Sequence, residues 1–363
     1  MYKLIYIILS LLVYSIAFGQ GEQQLLKTHY SKPDQPGGIV LIKNGAAIKT
    51  AFTGLAHVEQ EIPIAEESRF RMASVSKQFT AMAVYLLIQD GKISLEAPVR
   101  EIFPELPLVC APIRIKHLIN HSSGLVDYEN IIPKDQKTQL LDADVLEMIK
   151  NIDTVYFAAG TQFRYSNTAY CLMSLLVERI SNQRYEIFCK ERIFDKLDMQ
   201  SAQISAPNTL ENRAYGYKPT TEGFRFADQS ITSATRGDGG VYISSRDFAK
   251  WIDKDNSLYT TQFFKDLETY SIEVKDGIHY GLGLFFTKSQ DGQITMFHSG
   301  ESTGFHNIFL FQPQQNKGLF LFTNRDDLKI ATIFESLLQD HNLKISGIKE
   351  SLFMWLSKVY SGE

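Results

Sequence analysis

The 363-residue sequence predicts an α+β fold: one antiparallel sheet flanked by helices, its strands drawn from both ends of the chain, with a largely helical insert between them. Three observations carry this. Gly37–Thr53 holds two β-rich runs around Asn44-Gly45, a strong hairpin signal. The final third contains four more such runs, Tyr280–Thr287, Gln293–His298, Phe305–Phe311 and Gly318–Thr323, punctuated by turn residues such as Asp291-Gly292. Between them, from Gly91 to about Phe248, the chain is mostly helical and loop-rich. The sheet part is expected at about 36–77 and 236–363 and the insert at about 78–235, within one domain spanning 20–363.

Taken in order, the first residues read as an export signal. Lys3 supplies a positive charge, Leu4 to Phe18 is apolar, and Ala17 and Gly19 are small residues placed for cleavage before Gln20. The run is short for a span, which needs about 18 or more apolar residues. Residues 1–19 are therefore set aside as a signal peptide, with a periplasmic or secreted product and no stable membrane insertion after cleavage. Phe70-Arg71-Met72-Ala73 leads into Ser74-Val75-Ser76-Lys77, and an apolar helix is expected from there to Asp90, stopped by Gly91. Asn167–Asn182 is apolar nearly all round, as a buried helix would be. Ala206–Thr235, polar and rich in Gly, Tyr and Asp, has the character of loops rimming a cleft. Asp327–Leu343 places Ile330, Ile333, Phe334, Leu337 and Leu338 on one helical face, and a last amphipathic segment carries Leu352, Phe353 and Leu356.

Composition narrows the function classes. A net charge of −4 without a basic block argues against nucleic acid as the main partner. Cys110, Cys171 and Cys189 form neither a disulfide framework nor a zinc pattern and read as structural. No cofactor or metal is implied. The oligomeric state is open.

The chemistry-bearing residues begin with Ser74 and Lys77. Three residues apart on a helix they share a face, and a serine near a helix N-terminus sits where negative charge is favoured. Lys77 can accept the serine proton only when neutral, so burial or a neighbouring cation must lower its pKa. Ser346-Gly347-Ile348-Lys349 repeats the pattern, so spacing alone does not single out Ser74. Tyr165-Ser166-Asn167, just before the buried helix, offers a phenol for proton transfer and an amide able to hold both Lys77 and a substrate carbonyl; Tyr128-Glu129-Asn130 has the same spacing. His298-Ser299-Gly300 lies at a strand end, where the backbone N–H of Glu301 could join that of Ser74 as a two-donor oxyanion hole.

These three motifs in this order resemble the serine β-lactamase and penicillin-binding-protein superfamily, whose signature is S-x-x-K, a middle triplet and K-T-G. The likeness is greatest to its class C branch and the related D-alanyl-D-alanine carboxypeptidases, D-aminopeptidases and β-lactamase-fold esterases. Phe70–Lys77, Ile115–Leu125, Gly239–Asp247 and Gly300–Phe305 look like that family's segments too, and the resemblance runs from roughly Ile39 to Asn324. It implies a β-lactamase/transpeptidase-like fold with Ser74 as acylated nucleophile, Lys77 as its proton acceptor and Tyr165 as general base and acid. Asn167, His298, Gly300 and Glu301 would bind substrate. His298 departs from the pattern, standing where class C enzymes have the lysine of K-T-G. A histidine is mostly neutral near pH 7, which favours an esterase or peptidase over an efficient β-lactamase. Lysine at 298 is accordingly expected to favour carboxylate-bearing substrates.

Rival readings are weaker. Gly300-Glu301-Ser302-Thr303-Gly304 matches G-x-S-x-G, yet that motif needs a helix after it and Phe305–Phe311 is β-rich; its glycines better suit close approach of backbone to substrate. His117 and His121 could share a helix face as metal ligands, but no third ligand is assignable. Asp238, beside Gly239-Gly240, fits a pocket wall or a tight turn equally. The expected function is an exported serine hydrolase that passes through a Ser74 acyl-enzyme on an ester, a D-amino-acid peptide or a β-lactam-like amide. Its partner would be a small-molecule or peptide substrate. The alternative is a catalytically silent penicillin-binding or sensor protein of the same fold.

Overall fold

A computed structural model describes residues 20–205, 210–345 and 347–362. The expected signal peptide, residues 1–19, and Ser346 of the second S-x-x-K lie outside these residues. Runs of buried β-branched, aliphatic and aromatic residues form one eight-stranded antiparallel sheet. Its strands are β1 (Gly38–Asn44), β2 (Ala47–Thr53), β3 (Ile272–Lys275), β4 (Ile278–Gly281), β5 (Leu284–Lys288), β6 (Ile294–Ser302), β7 (Phe305–Gln312) and β8 (Lys317–Thr323). Their order is β3-β4-β5-β6-β7-β8-β1-β2, so the N-terminal hairpin joins the C-terminal meander through β1 and β8. Five helices are labelled here: α1 (Gln20–His29), α2 (Lys77–Gln89), α3 (Asn167–Ser181), α4 (Lys329–Asp340) and α5 (Leu352–Ser361).

Helices on both faces explain why β1, β6, β7 and β8 are buried almost throughout rather than alternately. Phe320 and Phe322, two apart on β8, meet the edge of Phe248 on one face. On the other side of the sheet lie α4 and α5, with Trp355 of α5 against Phe285 and Phe297. No described helix is long and apolar enough to cross a membrane.

The structure differs from the sequence expectation in several places, among them the stretch expected as loops, where Tyr217–Thr220 and Gly223–Phe226 pair as a hairpin. The expected single strand Tyr280–Thr287 is two, because Leu282 and Gly283 both take positive φ and turn the chain back. Strand β3 carried too little apolar signal to be anticipated, since two of its four residues are exposed. The helix expected from Ser74 starts at Lys77; before it Ala73–Ser76 is a single 3₁₀ turn. Ala73 causes the offset, with φ of 49°, a left-handed conformation that costs a residue bearing a Cβ about 1–2 kcal/mol.

Candidate active site

The 3₁₀ turn carrying Ser74 is held from three sides. The Met72 N–H donates to the Val241 carbonyl, the Val241 N–H donates to Ser76 Oγ, and the Asn307 amide donates to the Arg71 carbonyl. Ser76 is thus a brace of the turn. The turn also lies flat on β6. A Cβ on Gly300 would stand 2.2 Å from the Met72 carbonyl oxygen and 3.1 Å from the Ser74 nitrogen, so only glycine lets the Ser74 turn and the strand approach this closely.

Lys77 opens α2 and is fully buried, while Ser74 is partly exposed. Its Nζ lies 3.1 Å from Ser74 Oγ, 2.8 Å from Asn167 Oδ1 and 2.8 Å from the Asp238 carbonyl oxygen. Burial lowers its pKa, and the Asp238 charge opposes that shift without reversing it. A neutral amine has two hydrogens and one lone pair. When the amine is neutral, the acceptors Asn167 and Asp238 can take its two hydrogens, leaving its lone pair to face the Ser74 hydroxyl.

Tyr165 and Asn167 are placed by the loop that follows Ile115–Ile119. His121 Nδ1 accepts from the Ser166 N–H at 3.1 Å, Ser166 Oγ caps α3 through the Ala169 N–H, and Asp127 accepts from the Asn167 N–H at 2.7 Å. Asn167 Nδ2 then donates to Glu129, which orients its oxygen toward Lys77. The Tyr165 hydroxyl is buried and, among the described residues, makes no well-formed hydrogen bond, with Ser74 Oγ close enough to act on it. Burial first, and Tyr360 next, hold its pKa well above the ordinary phenol value, while Ser74 acts in the opposite direction. It is a phenol in the resting site.

His298 shares a face of β6 with Gly300 and is fully buried. Burial lowers its pKa to about 3, aided by the Lys77 charge, so the ring is neutral. Nδ1 contacts the Ser299 carbonyl at 2.5 Å and the Tyr360 hydroxyl at 3.1 Å; Nε2 lies 3.4 Å from the Tyr280 hydroxyl. The expected gain of carboxylate preference from lysine at 298 presupposes an open position. The position is roofed by Tyr360, so a lysine there would be buried near Lys77 rather than offered to a ligand.

The backbone of β6 beyond Phe297 has no β5 partner, which leaves an open strand edge beside Ser74. The Ser299 N–H points along that edge, to the Tyr360 hydroxyl at 3.2 Å. Backbone direction alternates with period two, so the Glu301 N–H points the same way. The Glu301 side chain faces the opposite side, where Ser357 of α5 donates to it.

The remaining sequence candidates fall elsewhere. Ser302 ends β6 at a two-residue hairpin that runs into β7, without the helix a nucleophile elbow requires. Tyr128 is buried, its hydroxyl donating to Asp238 at 3.2 Å. His117 Nδ1 and His121 Nδ1 each accept a backbone N–H, from Arg114 and Ser166, and point to no common centre. Among the described residues, the one cluster able to hold a metal is Asp142, Cys171 and Asp238. Asp142 there is already engaged by the N–H groups of Arg236 and Gly237 and by the Arg236 side chain. All three cysteines are buried and unpaired.

Sequence reasoning missed Asp127, Glu129 and Tyr360. Glu129 was visible only as part of a competing Y-x-N, and Tyr360 comes from a helix with no motif of its own.

The chain is 26% identical over 327 residues to "Penicillin-binding protein 4*" of Bacillus subtilis (strain 168), covering 84% of this chain and 71% of the relative. In structure it is similar to a penicillin binding protein from Bacillus halodurans, with a TM-score of 0.75, 23% identity and coverage of 89% of this chain and 99% of that one. It is similar as well to a D-amino acid amidase from Ochrobactrum anthropi SV3, with a TM-score of 0.75, 21% identity and coverage of 89% and 97%. Residues 23–332 match the family described as Beta-lactamase, and with its antiparallel sheet and the Ser74–Lys77 pair, the chain belongs to that family.

Proposed function

We propose that the protein is a serine hydrolase that acts through an ester on Ser74. The observation that carries this is the buried Lys77 amine, whose nitrogen lies 2.8 Å from each of the acceptors Asn167 Oδ1 and the Asp238 carbonyl oxygen and 3.1 Å from Ser74 Oγ. In the proposed reaction Ser74 Oγ attacks the acyl carbon and its proton passes to neutral Lys77. The developing oxyanion lies between the Ser74 and Glu301 N–H groups. The bond to the leaving atom then breaks as that atom takes a proton from the Tyr165 phenol, which regains one from the Lys77 ammonium. Water completes the cycle by the reverse roles, releasing the acid and free Ser74.

Neutral His298 offers no fixed cation to a substrate carboxylate, and Glu129 and Asp127 stand near Asn167. This supports uncharged or amine-bearing esters and amides, including D-aminoacyl amides, over carboxylate-bearing lactams. Export through residues 1–19, to a periplasm or out of the cell, is part of the proposal.

The test incubates mature protein and Ser74→Ala with a chromogenic short-chain ester, aminoacyl amides of both configurations and a labelled penicillin. Turnover together with a mass increase on Ser74 is expected. Wild type that neither turns over nor becomes acylated would sink the reading, as would activity that survives Ser74→Ala and is lost in Ser302→Ala.

A further inference from the structure

The strand edge beside Ser74 is not free along its whole length. Tyr360, near the end of α5, places its hydroxyl 3.2 Å from the Ser299 nitrogen, 3.1 Å from the Ser299 carbonyl oxygen and 2.9 Å from Ser299 Oγ. Every polar group Ser299 presents on this edge is therefore engaged from within the protein. The Tyr360 ring packs on Tyr165 at 4.4 Å between centroids and stacks on His298 at 5.8 Å. Leu352, Phe353, Trp355 and Leu356 of the same helix are buried in the core, and Ser357 donates to Glu301. This makes α5 a fixed wall.

The position of the wall matters because of what Tyr165 does. Under the hydrolase reading, on which this inference rests, the leaving atom must meet the Tyr165 hydroxyl. The leaving group therefore lies on the side where Tyr360 sits. Ser299 is two residues from Glu301, roughly 6.6 Å along the strand, the span of about two residues of a paired substrate chain. A leaving group with its own peptide unit or carboxylate would need the Ser299 groups that Tyr360 already holds. The adjoining cavity, lined in part by Tyr165, Asn167, Glu129 and Tyr360, is about 250 Å³, below the roughly 300–1,000 Å³ of ordinary ligand pockets.

We infer that Tyr360 is a specificity-determining residue that restricts the enzyme to small, uncharged leaving groups, such as ammonia from a primary amide or a short alcohol from an ester. Leaving groups that carry a carboxylate are excluded because their partners on the strand edge are occupied.

The experiment uses substrates that share one acyl group and differ only in what leaves: the primary amide and the glycine-terminated amide, and the methyl ester and the glycolate ester. Each is measured with wild type, Tyr360→Phe and Tyr360→Ala, with folding checked by circular dichroism. Wild type should prefer the small leaving group by about tenfold or more in kcat/KM, the worth of one well-made polar contact. Tyr360→Phe frees the Ser299 N–H and Oγ while keeping the ring, and should narrow the ratio, mainly through KM of the carboxylate-bearing member. Tyr360→Ala should narrow it further. A ratio near one in wild type, or one that stays within twofold in a folded Tyr360→Phe, overturns the inference while Ser74 acylation stands. Should Tyr360→Ala fail to fold, Tyr360→Phe and wild type decide. Absence of turnover and of Ser74 acylation with every small-leaving-group substrate removes the hydrolase reading and this inference together.

Discussion

Lys77 Nζ and Asn167 Oδ1 lie 2.8 Å apart although ninety positions separate them in sequence, and this contact ties helix α2, which follows the Ser74 turn, to the buried helix α3. It also fixes which way the amine presents its lone pair. Lys77→Met should lower kcat by about 10²–10⁴-fold, the usual worth of a positioned proton acceptor. Lys77→Arg should not restore it, because a guanidinium does not give up its proton in a protein. Steady-state kinetics on a short-chain ester check both; activity retained in Lys77→Arg would contradict the assigned role.

Tyr165 invites a separation of stability from rate. Among the described residues its buried hydroxyl makes no well-formed hydrogen bond, so removing it strands no buried group, Ser74 being partly exposed. Tyr165→Phe should leave urea stability unchanged or raise it by about 1 kcal/mol. It should lower kcat more on amides, whose leaving nitrogen needs a proton, than on activated esters. Equal losses on both substrates would count against Tyr165 as the acid.

Gly300 offers a geometric test. Gly300→Ala brings a Cβ to 2.2 Å from the Met72 carbonyl oxygen and must displace the Ser74 turn or the strand. A stability loss of about 1–3 kcal/mol is expected, as for other overpacked positions, with a larger loss of activity. Thermal melts and labelling of Ser74 by a fluorophosphonate measure the two effects. Undiminished labelling would show that turn and strand need no such close approach.

Two buried histidines set the acid side of stability. Burial lowers the pKa of His298 to about 3 and that of His121 well below its ordinary value, with Lys77 acting in the same direction on both. The unfolded chain, with histidine near 6.5, binds protons below that pH that the folded chain does not. The stabilisation is therefore complete above about pH 6.5 and is lost as pH falls toward 3, by up to about 1.4 kcal/mol per pH unit for each histidine. Urea midpoints between pH 4.5 and 7.5 should show this slope. His298→Gln should flatten it, and an equally steep slope in the variant would refute the assignment.

What the sequence determined alone was whatever local pattern encodes. Asn44-Gly45 specified a hairpin, the spacing within Asp327–Leu343 specified a one-faced helix, and Ser74, Lys77, Tyr165, Asn167 and His298 were visible as residue types in order. The expected union of both chain ends in one sheet also follows from such patterns, and it is present as the pairing of β1 with β8. What only the tertiary structure decided depends on proximity between distant segments. Desolvation makes Lys77 a candidate base and His298 a neutral ring, and desolvation is a property of everything packed around a group. Glu129 and Tyr360 acquire meaning only from whom they touch, Asn167 in one case and Ser299 with Tyr165 in the other. The positive φ of Ala73, which holds Ser74 in a turn ahead of its helix, is maintained by contacts from β6 and Val241. Sequence carries side-chain chemistry and local periodicity. Dielectric environment, strain and the occupancy of a strand edge arise only when the chain has closed on itself.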